Sequence, residues 1–435
     1  MSKKLAVLSL GCDKNRVDTE NMLYYLSGNG YEVTDDYGDA EVAVVNTCAF
    51  IASAREEAID AILSLAAYKK TGRLQKLVVT GCLPQRYRAE LIQGLPEVDA
   101  FLGTDEYERI TAVLGGDAPA AKNPAGRVLT TLPHYAYLKI AEGCDNHCTF
   151  CAIPSIRGRY RSRGLKSLLA EADGLVKKGV KELILVAQDV TRYGEDLTGG
   201  AMLPTLIDGL SQSDVSWIRL MYCYPERIGD ALIERLADNA KLCKYIDIPM
   251  QHADDAVLKR MNRKSTNASL SALIGRLRSA VADIELRTTF MVGFPGETEA
   301  AFETLCRFVA DHELSNAGIF CFSPEAGTPA AKLPDRIGRA VQEERLERLG
   351  ALIYQNVQNK NKRMVGKTVT VLYEDIDYER KLFKGRTQHN APEVDRLVYF
   401  SGRFADAGTF YPVRITGTDG YDLVGKLVEP PGVNK

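Results

Sequence analysis

The chain has 435 residues, 45% of them hydrophobic and 26% charged, with a formal net charge of −2. That length predicts two to four domains at roughly 150 residues each, and the charge balance shows neither a nucleic-acid-coating basic excess nor an acidic tail. No apolar run approaches the length of a membrane span.

The opening, MSKKLAVLSLGC, has a basic start, an apolar run and a cysteine. The run is shorter than a usual signal-peptide core, so it reads as a buried first strand, and a cytoplasmic location is expected. Disulfides are rare there, so ten cysteines point to metal or redox chemistry. Short apolar runs at 5–10, 41–47 and 76–81 read as strands covered on both faces. Helical patterns at 18–30 and 53–72 lie between them, the second with Ser53 as N-cap and an end near Gly72. This βαβ series predicts a doubly wound parallel sheet over residues 1–115. Residues 116–133 read as a linker, because 115–126, GGDAPAAKNPAG, is rich in Gly, Ala and Pro.

The alternation resumes at 134. Strands are predicted at 135–141, 182–188, 217–223, 245–250, 286–294 and 317–323, with helices such as 165–179 between them. Six βα units predict a partial (βα)6 barrel over 134–365, with its site at the C-terminal strand ends. A polar helix at 341–366 closes that region. Residues 367–435 change character: β-branched and aromatic runs at 368–376, 396–401, 410–419 and 422–429 predict a small all-β barrel.

The cysteines fall into two sets. EGCDNHCTFC places Cys144, Cys148 and Cys151 in a C-x3-C-x2-C run just after the first barrel strand. Three thiolates can hold three irons of a four-iron cube and leave the fourth open. The alternatives are a structural zinc completed by His147 or a distant cysteine, or plain core cysteines. Cys12, Cys48 and Cys82 each follow their own strand, 36 and 34 residues apart. Parallel strands bring such ends to one edge, so three thiols can converge without a local motif and again suggest a cube with one open iron. Cys223, Cys243, Cys306 and Cys321 read as core. No Ser/His/Asp array or P-loop is present, so no catalytic residue is expected beyond the cluster ligands.

The C-x3-C-x2-C run with Phe150 before its last cysteine resembles the signature of the radical S-adenosylmethionine (SAM) superfamily. With the second cysteine set and the β-rich C-terminus, the whole chain resembles the methylthiotransferases, whose layout is a three-cysteine domain, a radical SAM barrel and a TRAM-type β domain. The resemblance implies an α/β fold, two 4Fe-4S clusters, one on each cysteine set, and two SAM molecules per turnover, one donating a methyl group and one cleaved to a radical. It also implies an electron donor and a sulfur source. The segment 288–303, TTFMVGFPGETEAAFE, resembles the part of the superfamily that lies against the adenosine of SAM. It makes Gly293 and Gly296, with Phe150 and Gln188, cofactor-binding candidates. Arg157 and Arg159, from an alternating series with Arg161 and Arg163, and His252 are substrate-binding candidates. Asp189 and Gln251, also at strand ends, face the same expected pocket.

One methylthiotransferase subgroup modifies an adenosine of tRNA and the other an aspartate β-carbon of small-subunit ribosomal protein twelve. SLGCDKNRVDTE (9–20) resembles the protein-modifying form SLGC-x-KN-x-VDSE, departing at Thr19 where Ser is usual. The tRNA subgroup usually has GCQMN there. IPMQHADDAVLKRMNR (248–263) also resembles the protein-modifying pattern; the tRNA enzymes usually carry QSGS. From residue 367 onward ten Lys and Arg face ten Asp and Glu, whereas an RNA-gripping domain should be basic. YEDIDYE (373–379) reads as an acidic stretch suited to a basic ribosomal protein. Ribosomal protein twelve is therefore the expected substrate, tRNA adenosine the alternative, and strong nucleic-acid binding is not expected.

Overall fold

The computed structural model describes residues 2–116, 126–403 and 406–428. Near the N-terminus β1 (Lys3–Ser9), β2 (Tyr31–Val33), β3 (Val42–Thr47), β4 (Lys76–Gly81) and β5 (Ala100–Leu102) form a parallel sheet in the order β2-β1-β3-β4-β5. All six residues of β3 are buried, as helices on both faces require. The sequence predicts β1, β3 and β4; the short edge strands β2 and β5 were not foreseen. The first helix runs Asp13–Ser27, beginning five residues earlier than the pattern suggests. The second spans Ala52–Ala66, and its N-cap is Ile51, not Ser53, with no side-chain cap bond. Residues 117–125 of the expected linker lie outside the described residues. Beyond them the chain is anchored: Arg127 is buried and donates to Glu20 at 2.6 Å and to Glu171 at 2.6 Å.

The barrel comprises β6 (Tyr135–Lys139), β9 (Glu182–Val186), β10 (Trp217–Leu220), β11 (Leu242–Gln251), β12 (Glu285–Val292) and β13 (Asn316–Cys321), all parallel and in sequence order across an open sheet. A small ribbon of β7 (Ala141–Glu142) and β8 (Arg161–Ser162) brackets the cysteine loop. All six predicted barrel strands are present. Parallel neighbours put every C-terminal strand end at one mouth.

After helix Arg339–Met364, a closed barrel forms from β14 (Thr368–Asp377), β15 (Leu382–Arg386), β16 (Val398–Ser401), β17 (Phe410–Asp419) and β18 (Asp422–Leu427). β15, LFKGR, carries too little β-branched character to be predicted.

The C-terminal barrel sits at the N-terminal ends of the large barrel's strands and closes them. Arg386 and Arg219 both donate to Glu182, each at 2.6 Å, and all three are fully buried. Arg386 also pairs with Glu374, which meets His134 at 3.2 Å. Trp217 packs edge-on to Phe410, with ring centres 4.8 Å apart.

Removing one partner of a buried ion pair strands the other, at a cost of about 3–5 kcal/mol. Arg386→Ala should therefore lower the unfolding free energy by that order, read as a lower denaturant midpoint. Acid should loosen the same junction. Burial pushes the Glu182 and Glu374 carboxyls up, but their arginines outweigh it and hold both below the ordinary range, so their stabilisation is present at neutral pH and lost on acidification. Burial pulls His389 from 6.5 down to about 4; unfolded it takes a proton below about 6.5 but folded only near 4, so stability falls across that window. Proteolysis between the barrels should accelerate from pH 6.5 to 4, and His389→Asn should flatten that span while leaving the further loss below 4.5 that the carboxylates bring.

Candidate functional site

Glycine makes the cysteine positions possible. Gly11, Gly81 and Gly143 each immediately precede a cysteine and have φ of +96°, +97° and +81°. Gly81, with ψ −148°, lies in a region only glycine occupies readily. A Cβ there would stand 2.3 Å from Asn46 Oδ1 and 2.7 Å from the Thr47 carbonyl. At Gly143 it would meet the Arg159 carbonyl at 2.1 Å. The chain therefore turns sharply off β4 and β7 and presents Cys82 and Cys144 at the strand ends.

Cys12, Cys48 and Cys82 come together as the spacing predicts. Asn15 Oδ1 lies 3.9 Å from Cys12 Sγ and 3.7 Å from Cys82 Sγ, and a Cβ on Gly11 would touch Cys48 Cβ at 2.9 Å. Asn15 is itself fixed: its amide donates to the Leu10 and Thr47 carbonyls at 3.2 and 3.0 Å. Thr19, the departure from the family pattern, keeps the hydroxyl, which accepts from Asn46 Nδ2 at 2.9 Å and meets Ser9 Oγ at 2.9 Å.

Cys144, Cys148 and Cys151 also share one loop pocket. The Cys151 amide donates to the Cys148 carbonyl at 3.1 Å, and the Asn146 amide lies 3.5 Å from Cys144 Sγ. Asn146 donates to buried Asp189 at 2.8 Å, so Asp189 steadies the loop. Tyr224 Oη and Arg263 Nη1 each lie 3.8 Å from Cys148 Sγ, and the Arg263 guanidinium stacks 4.0 Å from the Tyr224 ring centre.

The two sets face each other. Beyond Cys151 the chain enters helix Ile153–Arg157, whose Ile156 is buried in the N-terminal core beside Cys82 and Leu83. Arg157 completes the junction. Its guanidinium donates to both oxygens of Glu142 at 2.9 Å, lies 3.5 Å from Asp18 and from Cys82 Sγ, and bonds to Asn15. Lys139 joins the same carboxylates. From the barrel side, Tyr222, with φ +59°, donates to Asp13 at 3.1 Å, next to Cys12.

Burial pushes the thiols up: Cys82 to about 11 despite Arg157, Cys144 to about 11, Cys151 to about 12, and Cys48 in the same direction. Ligation needs thiolate, so loading either set releases protons. A single zinc ion needs its sulfurs about 2.3 Å from one point; among the described residues no three His, Cys, Asp or Glu side chains are grouped to hold one ion. A cube takes each thiolate onto a different iron, and two sets of three neighbouring thiols suit that demand.

Other expectations change. Arg157 is buried and satisfied by Glu142, Asp18 and Asn15, so it joins domains instead of meeting substrate. Arg161 pairs with Asp105 at 3.0 Å and Arg163 with Glu171 at 2.6 Å. Arg159 alone of the series is exposed without an ion pair among the described residues. His252 is fully buried, accepts from the Asp254 amide at 3.0 Å, and is held by burial down to about 3, so it does not face a substrate. Gln251, also buried, precedes it with φ +72°. Gly293 and Gly296 do sit in a positive-φ turn, but the space beside them is filled by Gln342 and Arg260. Phe150 packs against the cluster containing Met261 and Phe294. Gln188 donates to Glu142 at 2.9 Å, and its Oε1 is buried without a partner. Cys223 and Cys243 are buried, while Cys306 and Cys321 are half-buried against the core. Asn15, Tyr222, Tyr224 and Arg263 were not singled out; the KN and MNR runs held two of them.

The acidic reading of 373–379 also changes. Glu374 is buried on Arg386, Asp375 pairs with Lys384 at 3.1 Å and Asp377 with Arg380 at 3.8 Å. Among the described residues no helix is long and apolar enough to cross a membrane.

Residues 4–103 match the Uncharacterized protein family UPF0004, 138–309 the Radical SAM superfamily and 365–428 the TRAM domain. The chain is 45% identical to "Ribosomal protein uS12 methylthiotransferase RimO" of Geobacter sulfurreducens, over 98% of this chain and 99% of that one. It is 46% identical to the protein of the same name from Geotalea uraniireducens, over 98% and 99%. Among solved structures it resembles the radical SAM methyltransferase TsrM from Kitasatospora setae, with TM-score 0.53 and 16% identity over 76% of this chain and 77% of that one; that likeness is one of fold.

Gly81→Ala should cost about 1–3 kcal/mol of backbone strain and push Cys82 off its position. The expected result is a lower melting midpoint and less iron retained after anaerobic loading, read by calorimetry and iron assay.

Proposed function

This chain belongs to the RimO family of ribosomal protein uS12 methylthiotransferases within the radical SAM superfamily, and from that premise we propose that it adds a methylthio group to the β-carbon of an aspartate in uS12. It is a SAM-dependent transferase using an iron–sulfur cluster and SAM. Our finer reading gives it two 4Fe-4S clusters, on Cys144, Cys148 and Cys151 and on Cys12, Cys48 and Cys82, two SAM molecules per turnover, and an external electron donor and sulfur source.

The observation that carries this reading is the meeting of two three-cysteine sets across one junction, with Arg157 in contact with Cys82 and rooted six residues past Cys151. When bound, the clusters supply one-electron cleavage of SAM and a holding place for the transferred sulfur. The protein's part is placement and exclusion of water. Tyr224 and Arg263 bracket Cys148 and present a donor-rich wall there. Asn15 fixes the spacing of Cys12 and Cys82. Tyr222 and Lys14, whose ammonium lies 3.4 Å from the Tyr222 ring centre, close the gap between barrel mouth and N-terminal domain. The six cysteines act as ligands, not as acids or bases.

Mass spectrometry of uS12 and of hydrolysed tRNA from cells with and without the gene tests the substrate. Loss of a methylthio group from uS12 alone supports the reading; loss from a tRNA nucleoside alone would falsify it. In purified protein, Cys148→Ala should abolish SAM cleavage while the other set still takes iron. Cys48→Ala should retain SAM cleavage and stop thiolation; methylthiolated product from that variant would refute the second assignment.

A further inference from the structure

At the end of the barrel opposite the cysteines, a cavity of about 580 Å³ lies between the start of β12 and the TRAM barrel. None of the six candidate cluster cysteines lines it. Five cations line it, Arg278, Lys360, Arg363, Lys367 and Arg396, against three carboxylates, Asp283, Glu285 and Glu313. Asp283 is exposed without an ion pair among the described residues, and the other two carboxylates are already engaged. Glu285 serves both Lys360 at 2.6 Å and Arg396 at 2.9 Å, and Glu313 is taken by Arg363 at 3.0 Å. Among the described residues Arg278 donates to the His312 carbonyl, at 2.6 Å, and forms no ion pair.

Hydrogen-bond acceptors are short as well. His389 Nε2, Asn390 Nδ2 and Arg396 Nε lie in the cavity wall, buried without a partner. Asn390 is 2% exposed. Burial also lowers the basicity of Arg278, Lys360 and His389, Glu285 opposes it, and the neighbouring cations add a smaller push in the same direction as burial. Buried donors left unpaired are destabilising, so an acceptor-rich anion would relieve several deficits together.

We infer that this cavity binds a small phosphate-bearing anion. A phosphate offers several acceptor oxygens and two negative charges to clustered Arg and Lys. The volume falls in the range of small-molecule pockets, about 300–1,000 Å³. An RNA strand would need a basic groove leading in; Arg386, Arg380 and Lys384 of the TRAM barrel are paired, and Lys381, Arg403, Arg414 and Lys426, unpaired among the described residues, do not line the cavity.

The test is calorimetric titration of the full, anaerobically loaded enzyme in a phosphate-free buffer, with inorganic phosphate, ADP and a short oligoribonucleotide as separate probes. Saturable binding of phosphate or ADP at one site is expected, ADP alone or the tighter of the two marking a nucleotide and phosphate alone marking a free ion. Arg278→Gln with Lys367→Gln should weaken it at least tenfold. As a check independent of the double variant, the His389 ring signals of the unmodified protein, identified by their loss in His389→Asn, should move in step with saturation. No saturable binding, binding untouched by the double variant with His389 signals unmoved, or binding of the oligoribonucleotide alone would each overturn the inference.

Discussion

A single buried guanidinium fixes the relation on which the rest depends. Arg157 is 2% exposed and lies between Glu142 of the barrel and Asp18 and Asn15 of the N-terminal domain. A buried charge without partners is prohibitive, and a paired one is tolerated only with good geometry and its remaining donors satisfied. Those conditions are met only when the two domains sit in one relative position. Because Arg157 follows directly from the C-x3-C-x2-C loop, and because it also touches Cys82, that position sets how one group of thiols stands relative to the other. The constraint is geometric before it is energetic: slide the domains and two carboxylates and a guanidinium lose their partners together.

With that junction fixed, the barrel is closed at both ends by different means. The N-terminal domain covers the mouth through Tyr222, Lys14 and the helix after Cys151. The TRAM barrel covers the base through Glu182, Arg219 and Arg386, with Leu372 and Ala391 packed among Tyr135, Tyr137 and Tyr245. Radical chemistry on an unactivated carbon requires that solvent and stray hydrogen donors stay out. A half-barrel cannot achieve that alone, which gives the flanking domains a structural reason beyond recognition of a partner.

The architecture was legible where one residue type repeats at one structural phase. The six barrel strands are short apolar runs, and each N-terminal cysteine stands just past its own strand; both patterns survive in the linear sequence. What failed did so where polar groups are buried. Helix Asp13–Ser27 begins earlier than its pattern shows because Lys14, Asn15, Asp18, Thr19 and Glu20 are all buried, some against the barrel and some within the N-terminal domain, so its inner face does not look apolar. Arg157 reads as a substrate ligand because it belongs to an alternating arginine run, and His252 because polar residues at strand ends usually face the pocket; in the structure both are buried on internal partners. Gly293 and Gly296 illustrate a third case, since a glycine turn announces close approach without saying that Gln342 and Arg260 are what approach.

The TRAM barrel's charge carries a related lesson. Ten cations and ten anions from residue 367 onward describe a neutral domain, but neutrality is reached largely inside and at its junctions. Arg386, Glu374 and Arg396 are spent on the large barrel, and the acidic run 373–379 is answered by Arg386, Lys384 and Arg380. The run is therefore not a free acidic face awaiting a basic ribosomal protein. The argument for a protein substrate rests instead on the residues around Cys12, where Asn15 and Thr19 each hold a definite bond, and on the near full-length likeness to uS12-modifying enzymes. Arg386 and Arg396 face inward and cannot neutralise phosphates, whereas Arg403 and Arg414 are exposed without an ion pair among the described residues; affinity for RNA depends on how many such cations share one face, so the preference for uS12 over tRNA stands on the residues around Cys12 and the full-length likeness, not on the charge of this domain.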